Sequence, residues 1–132
     1  MALMSLELLS VIPGGPPAIG PYSPAVIANG RYLFISGQIP FDPAVGAIVR
    51  GTVTEQTEIV LTNLERVVRT AGAVLSQVVQ CRVYLAELTK ENFGEMNGVY
   101  ARFFGGHKPA RTTLGAQLLG FDVEIEAIVA LD

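Results

Sequence analysis

The chain has 132 residues, which is enough for one domain and too few for two of ordinary size, so we predict a single domain over residues 1–132. Half of its residues are apolar and only 16% are Asp, Glu, Lys or Arg, whereas an average soluble domain has about 25%. Because a small domain has a large surface for its volume, this shortage of charge predicts that other copies of the chain cover part of the surface.

The same composition excludes several classes of protein. No run reaches the ~20 apolar residues of a membrane-spanning helix. The apolar N-terminus has no basic residue before Arg31, unlike a signal peptide, so the predicted location is cytoplasmic. A net charge of −3 with scattered basic residues disfavours binding to nucleic acid through phosphates. The single cysteine, Cys81, excludes an intrachain disulfide and disfavours a cysteine-based metal site.

The first predicted elements are two strands joined by a tight turn. Asn29 and Gly30 separate two apolar runs, and this dipeptide favours a type I′ turn. We therefore predict a β-hairpin with strands at about 25–28 and 31–37. A further turn begins at Asp42, where Pro and Gly residues follow.

A helix over residues 54–71 comes next. Apolar side chains repeat there at helical spacing, at Val60, Leu64, Val67, Val68 and Ala71. Thr52 and Glu55 have the spacing of a capping box at its start. Gly72 fits the position just after its end.

A strand and a second helix follow. Residues 79–85 alternate, with Val79, Cys81, Val83 and Leu85 on one face. Cys81 is therefore predicted to be a buried, inert thiol rather than a nucleophile. Helical spacing then returns at Phe93, Met96, Tyr100, Phe103 and Phe104, with Thr89 as the N-cap and Gly105 at the end.

Two strands at about 111–118 and 122–130 complete the chain. In the last one Val123, Ile125, Ala127 and Val129 share one face, and Glu124 and Glu126 share the other. This order of elements predicts an α+β fold in which two helices cover one face of a mixed sheet. The opposite face needs cover, which contact with other copies of the chain would supply.

The usual catalytic patterns are absent from the sequence. His107 is the only histidine, and with no second histidine and no cysteine cluster it is predicted to be a solvated loop residue rather than a metal ligand. The sequence contains no Gly-x-Ser-x-Gly motif and no glycine-rich phosphate-binding motif.

Three features could carry chemistry. Arg111 stands at the start of a strand, where its guanidinium could bind a carboxylate through two hydrogen bonds. Glu124 is a carboxylate in an otherwise apolar strand. The glycine-containing segments 19–22 and 36–38 offer backbone groups that a small ligand can approach closely. Ordinary roles stay open for each: a surface charge for Arg111, a solvated residue for Glu124 and an aromatic at the core edge for Tyr22.

These segments resemble the Rid family, the reactive-intermediate deaminases also called the YjgF/YER057c/UK114 family. The matching stretches are Ala-Ile-Gly-Pro-Tyr-Ser at 18–23, Ile-Ser-Gly-Gln-Ile-Pro at 35–40, Pro-Ala-Arg at 109–111 and Val-Glu-Ile-Glu-Ala-Ile at 123–128. The helix at 93–104 is also similar, so the resemblance spans nearly the whole chain. It implies a chorismate-mutase-like fold and a homotrimer with a central β-barrel and clefts between subunits.

The resemblance also implies an activity. Similar members hydrolyse enamines of the 2-aminoacrylate type, and imines such as 2-iminopropionate, to 2-keto acids with release of ammonia and without a metal or organic cofactor. Arg111 matches the family arginine that binds the substrate carboxylate, and Glu124 matches the carboxylate that positions the attacking water. The positions that match pocket residues are Tyr22, Ser36, Gly37 and Asn97, and backbone groups near Gly37 and Thr113 would stabilise developing charge.

Two departures from the family pattern concern the substrate. Thr113 stands where many bacterial members have cysteine, which removes any thiol-dependent role. Residues 118–122 replace the usual Leu-Pro-Lys turn, and that loop can border the cleft. Two alternatives therefore stay open: a deaminase for a larger, 2-aminomuconate-type substrate of aromatic catabolism, and a non-enzymatic regulatory protein that binds a small molecule in the same cleft. The acidic balance gives little support to the ribonuclease or translation-inhibitor activity reported for some members.

Overall fold

The structure is a computed structural model that describes residues 6–132. Its elements in chain order are β1 (Leu6–Leu9), β2 (Ala25–Ala28), β3 (Tyr32–Gln38), β4 (Phe41–Asp42), β5 (Ala47–Ile48), α1 (Val53–Thr70), a 3₁₀ helix (Leu75–Gln77), β6 (Val78–Leu85), α2 (Lys90–Phe104), β7 (Ala110–Gly115) and β8 (Val123–Ala130). The main sheet has the order β3-β8-β6-β7, in which β6 and β7 are parallel and the other neighbours antiparallel. The α+β class and the mixed sheet are confirmed.

The ends of both helices agree with the sequence signals. The Oγ1 of Thr52 accepts from the N–H of Glu55 at 3.1 Å, and Oε1 of Glu55 accepts from the N–H of Thr52 at 3.0 Å, so the predicted capping box is present. Gly72, just past the end of α1, has a φ of 79°. Thr89 caps α2 by accepting from the N–H of Asn92 at 3.1 Å.

The core lies between the two helices and one face of the main sheet. Its fully buried side chains include Leu61, Leu64, Val83, Met96, Tyr100 and Ile125. Cys81 is also fully buried, and this burial raises the pKa of its thiol to about 12. The prediction of an inert thiol is confirmed, because a thiolate is the reactive form.

The predicted hairpin at Asn29 and Gly30 is wrong. β2 pairs with β1, which was not predicted, and β3 pairs with β8, so the two strands lie in different sheets. Gly30 has a φ of 107°, but no non-glycine residue among 6–132 has a positive φ, whereas a type I′ turn needs two. The C-terminus occupies this place instead: the N–H of Leu131 donates to the carbonyl of Arg31, and a Cβ at Gly30 would overlap the carbonyl of Asp132.

The alternation in β6 is interrupted at its start. The pairing register with β8 shifts between Val78 and Gln80. As a result Val78 is fully buried, whereas Val79 lies beside Phe34 and Ile128 on the other face of the sheet. The predicted core position of Val79 is wrong because a bulge reverses the alternation. β7 is also shorter than predicted and ends at residue 115.

Apolar side chains are exposed on the face of the sheet away from the helices. Phe34 on β3 is 73% exposed and Tyr32 on the same strand is 37% exposed. They lie at a shallow apolar depression of about 300 Å³ between the two sheets, lined by Val26, Ala28, Tyr32, Phe34, Val79 and Ile128. An apolar surface of this kind is typical of a protein–protein interface. The trimer with a central barrel stays a prediction.

Candidate functional site

Arg111 lies near the start of β7, at one edge of the main sheet. The strand register places it level with Cys81 of β6, so its side chain points toward the helices. Three aromatic rings surround the guanidinium. Its Cζ lies 5.5 Å from the ring centre of Tyr22, 5.6 Å from that of Phe93 and 4.8 Å from that of Tyr100. Such rings favour a cation and keep it partly away from water.

The hydrogen bonds of Arg111 leave its charge uncompensated. Its Nη1 donates to Oδ1 of Asn97 at 2.7 Å and contacts Sδ of Met96 at 3.7 Å. No salt bridge found among residues 6–132 includes Arg111. Burial lowers the pKa of the guanidinium from its ordinary value. A half-buried cation whose strong partner is a neutral amide is a suitable binding site for an anion.

The loop before β2 folds onto Arg111 because it is tied to the segment that precedes β7. The N–H of Ser23 donates to the carbonyl of Pro109 at 3.0 Å, and its hydroxyl donates to the carbonyl of Lys108. A Cβ at Gly20 would stand 3.2 Å from Nη2 of Arg111. Glycine at this position therefore allows the backbone to approach the guanidinium closely.

One face of α2 supplies the rest of this environment. Phe93, Asn97 and Tyr100 stand four and three residues apart, so they lie together on the helix surface. Asn97 and Tyr22 match the sequence prediction for the pocket. Phe93 and Tyr100 were predicted only as apolar helix positions, although their spacing around Asn97 was a signal that they share its face.

A cavity of about 210 Å³ opens beside the guanidinium. It is lined by Ile19, Tyr22, Phe93, Arg111 and Thr113. The Oγ1 of Thr113 is buried and has no hydrogen-bond partner in the described part of the chain. Three of the predicted site residues, Arg111, Tyr22 and Thr113, therefore line one small cavity. A fourth, Asn97, contacts the guanidinium of Arg111 from α2.

The other predicted site residues form a second group on β3 and β8. Ser36 and Gly37 lie where the pairing of these strands shifts register, between Ile35 and Gln38. A Cβ at Gly37 would overlap the carboxylate of Glu124. Only glycine lets this carboxylate pack against the backbone of the irregular stretch, which explains why these residue types occur together.

The two glutamates of β8 differ in their partners. Glu126 accepts a hydrogen bond from the hydroxyl of Tyr84 and has a carboxylate oxygen 3.7 Å from Nη1 of Arg82. Glu124 takes part in none of the side-chain hydrogen bonds or salt bridges found over residues 6–132. Its carboxylate oxygens therefore have free capacity to accept a hydrogen bond from water or a ligand.

The two groups are separated within one chain. Across the sheet, Glu124 is level with Leu114 of β7, three positions along the strand from Arg111. With one strand between β7 and β8, the Cα atoms of Arg111 and Glu124 are roughly 14 Å apart. Their side chains also point to opposite faces, since the neighbours of Glu124 on β8 are buried in the core. A single chain does not bring both to one small ligand.

One expectation stays open and another is corrected. The loop 118–122 lines no part of the cavity beside Arg111 in its own chain, and the N–H of Asp122 donates to Oε1 of Gln56 at 2.8 Å, which ties this loop to the start of α1. That the loop borders a cleft between subunits stays a prediction. His107 is half-buried, with Nε2 at 2.7 Å from the carbonyl of Val78, so it is not simply a solvated loop residue.

Two other kinds of feature, a metal cluster and a membrane-spanning helix, are absent from the described range. No group of three or more His, Cys, Asp and Glu side chains in residues 6–132 is arranged to hold a metal ion. No helix in the same range is both long enough and apolar enough to cross a membrane.

Comparison with known proteins identifies the relatives of this chain. The family model described as Endoribonuclease L-PSP matches residues 14–131. The RutC family protein PH0854 of Pyrococcus horikoshii is 47% identical over 115 residues, which are 86% of this chain and 89% of that protein. The crystal structure of YyfB from Yersinia pestis, a conserved Rid family protein, is 31% identical with a TM-score of 0.84, over 96% and 98% of the two chains. The chain belongs to the Rid family.

Relatives within the Rid family have different names. The 2-iminobutanoate/2-iminopropanoate deaminase of Capra hircus is 42% identical over 115 residues, which are 86% of this chain and 82% of that protein. The mitochondrial protein MMF1 of Saccharomyces cerevisiae is 38% identical over 111 residues, 84% of this chain and 74% of that protein. The family predicted from the sequence is confirmed, and it includes an imine deaminase.

Proposed function

We propose that this Rid protein hydrolyses small carboxylate-bearing enamines and imines, of the 2-aminoacrylate and 2-iminopropionate type, to 2-keto acids and ammonia. The observation that carries this proposal is the half-buried guanidinium of Arg111, which has no carboxylate partner among the described residues and faces a cavity of about 210 Å³. The 42% identity to an imine deaminase supports the reaction class. The proposal includes no metal and no organic cofactor.

The geometry suggests how the substrate binds. Asn97 holds Nη1 of Arg111, which fixes the guanidinium and leaves its other N–H groups available to the substrate carboxylate. A guanidinium binds a carboxylate through paired hydrogen bonds, and this bidentate contact also fixes the orientation of the ligand. The rings of Tyr22 and Phe93 limit the access of water to this contact, which strengthens it.

The reaction needs little beyond correct placement. An enamine first tautomerises to its imine; water then adds to the C=N carbon, a proton passes to nitrogen, and the C–N bond breaks to give the keto acid and ammonia. Glu124 accepts a hydrogen bond from the attacking water and orients it. Backbone groups near Gly37 and Thr113 stabilise the charge that develops during addition. Holding the imine beside one oriented water accounts for the acceleration.

We further propose that the active site lies between subunits of a homotrimer with a central β-barrel. Arg111 and Glu124 of one chain are roughly 14 Å apart and face opposite ways, so Glu124, Ser36 and Gly37 of a second copy would complete the site at Arg111. The exposed Phe34 and Tyr32 would be buried in the contact. Closed cyclic assemblies of this kind use the same interface at each junction.

The first experiment removes the anion-binding group. We expect Arg111→Ala to lower the release of 2-keto acid from freshly generated 2-aminoacrylate by at least about 100-fold, because a misplaced substrate loses the gain from alignment. Circular dichroism and thermal unfolding check that the variant is folded. Arg69→Ala is the matched control, since Arg69 pairs with Glu65 on the exposed side of α1. Undiminished turnover by Arg111→Ala would contradict the proposal.

The second experiment tests the shared site. Arg111→Ala chains and Glu124→Gln chains are each expected to be inactive when assembled separately. After unfolding and joint refolding in equal amounts, about a quarter of the junctions would combine an intact Arg111 with an intact Glu124 from a neighbour. Recovery of activity near that fraction supports a site between chains. If both groups acted within one chain, the mixture would be as inactive as its components.

The alternatives have less support from the structure. The hypothesis of a deaminase for a 2-aminomuconate-type substrate rested on loop 118–122. This loop does not line the Arg111 cavity of its own chain. A regulatory protein would bind a 2-keto acid at Arg111 and turn over no imine, so binding without turnover is the result that would favour it. The net charge of −3 gives no electrostatic basis for acting on RNA. The cytoplasmic location stays a prediction.

A further inference from the structure

A second cavity adjoins the one beside Arg111. It measures about 270 Å³ and is lined by Leu88, Thr89, Lys90, Phe93 and Thr113. Phe93 and Thr113 also line the first cavity, so the two spaces meet at these residues. A ligand whose carboxylate is bound by Arg111 can therefore extend past Phe93 and Thr113 toward the start of α2.

We propose that this second cavity is a side-chain subsite, and that the enzyme prefers 2-imino acids with long apolar side chains, such as those derived from leucine, over 2-iminopropionate. This inference rests on the proposed deaminase function and specifies its substrate class. The carboxylate binds Arg111, the C=N carbon lies in the first cavity, and the side chain lies against Leu88 and Phe93 in the second.

The chemistry of the lining favours an apolar group. Leu88 is 50% exposed although its Cβ packs over Gly115, where an added Cβ would stand 3.3 Å away. Contact with a ligand side chain would bury the rest of this leucine. The Oγ1 of Thr89 accepts a hydrogen bond from the N–H of Asn92 as the N-cap of α2, and its O–H remains a donor at the rim of the cavity.

Lys90 is the one charged group that lines the subsite. It could favour a competing class of substrate, imines that have a second carboxylate. Its side chain is exposed, so its ammonium group can remain in water while the stem borders the cavity. A substrate with a second carboxylate would instead need Lys90 as its partner. The apolar walls favour the first arrangement, and a dicarboxylic imine is the alternative outcome of the test.

The test compares imines produced in situ by an amino-acid oxidase from alanine, leucine and glutamate, with accelerated formation of each keto acid as the measurement. We expect kcat/KM for the leucine-derived imine to exceed that for the alanine-derived imine by about tenfold. Full burial of the three added carbons would give about 60-fold at a factor of about four each, and roughly half of that burial is expected in an open cavity. Leu88→Asp should remove about tenfold from the leucine-to-alanine ratio, and Leu88→Ala should shift it less in the same direction. Val45→Asp is the control, because Val45 is 67% exposed and outside both cavities.

The outcomes separate this inference from the proposed function. If no imine is turned over, including the alanine-derived one, the deaminase function itself is wrong. If the alanine-derived imine is turned over but the leucine-derived one is not preferred, or Leu88→Asp leaves the ratio unchanged, the apolar subsite is wrong. If the glutamate-derived imine is preferred and Lys90→Ala removes that preference, the subsite binds a carboxylate instead.

Discussion

Arg111 at the β7 edge and Glu124 on β8 are positioned in different ways. Arg111 is enclosed by its own chain, with Asn97 and two rings of α2 on one side and the Gly20 loop on the other. Glu124 points away from the helices, and its carboxylate packs against the backbone of Gly37 in the irregular stretch of β3. The core of one chain therefore fixes the cation, whereas the carboxylate can meet a ligand at Arg111 only through a second copy.

The largest effect is expected from a charge on the outer face of the sheet. Phe34→Glu should dissociate the proposed homotrimer into monomers and abolish turnover, because an interface does not tolerate an unpaired buried charge. Light scattering during size-exclusion chromatography measures the mass. Val45→Glu is the control, since Val45 is 67% exposed but lies in the β4–β5 turn. An unchanged mass for Phe34→Glu would show that this face is not the contact surface.

A methyl group at Gly37 tests the carboxylate side alone. Gly37→Ala should displace Glu124 and lower kcat/KM by about 100-fold, since a displacement of about 1 Å can have this effect. Binding of pyruvate at Arg111 should change little. In Gly94→Ala, by contrast, the new Cβ meets nothing within 4 Å, so full activity and ~0.5–1 kcal/mol of added stability are expected. Full activity in Gly37→Ala would remove Glu124 from the mechanism.

The corresponding change on the arginine side should be milder. In Gly20→Ala the added Cβ would stand 3.2 Å from Nη2 of Arg111, so the guanidinium must move by a few tenths of an ångström. We expect KM to rise about threefold to tenfold with a smaller change in kcat, because the contact is made to the bound substrate as well as to the transition state. Gly106→Ala has open space around its Cβ and serves as the control. A fall in kcat at constant KM would assign Gly20 a different role.

The smallest effect concerns a feature that lies outside both regions. Thr52→Ala removes the capping box of α1 and should lower the free energy of unfolding by about 1 kcal/mol. Turnover at 25 °C should stay the same, because the cap is not part of the site. Thr70→Ala, at the other end of the helix, should change stability by less than ~0.5 kcal/mol. Lost activity in Thr52→Ala would mean that the start of α1 affects the site.

The elements predicted correctly from the sequence are those with local signals. Thr52 and Glu55 bond to each other across one turn, and the alternation of β8 directly gives its buried face. The prediction of a hairpin at Gly30 was wrong. The turn signal depends on two neighbouring residues, whereas the partner of each strand depends on residues far away in the sequence. The C-terminal strand, about a hundred residues away, takes β3 as its neighbour. No local pattern reports that competition.

The site was predictable in its residue types and not in its arrangement. Arg111 and Glu124 stood out as charged residues of two strands, and their roles came from the resemblance to the family. Nothing in their spacing indicated that they face opposite sides of the sheet. Phe93 and Tyr100 were visible as an apolar helical stripe, but periodicity does not tell which strand residue a helix faces. The register of β7 beside β6 supplies that information.

The neutral amide of Asn97 beside Arg111 has a consequence for the empty protein. An aspartate there would neutralise the guanidinium within the fold, whereas an amide leaves a cation in a partly dry pocket. Any small organic acid that binds there should therefore stabilise the folded state, by about 2.7 kcal/mol at a hundredfold excess over its Kd, and so raise the melting temperature. Heat resistance would then report how much keto acid surrounds the protein.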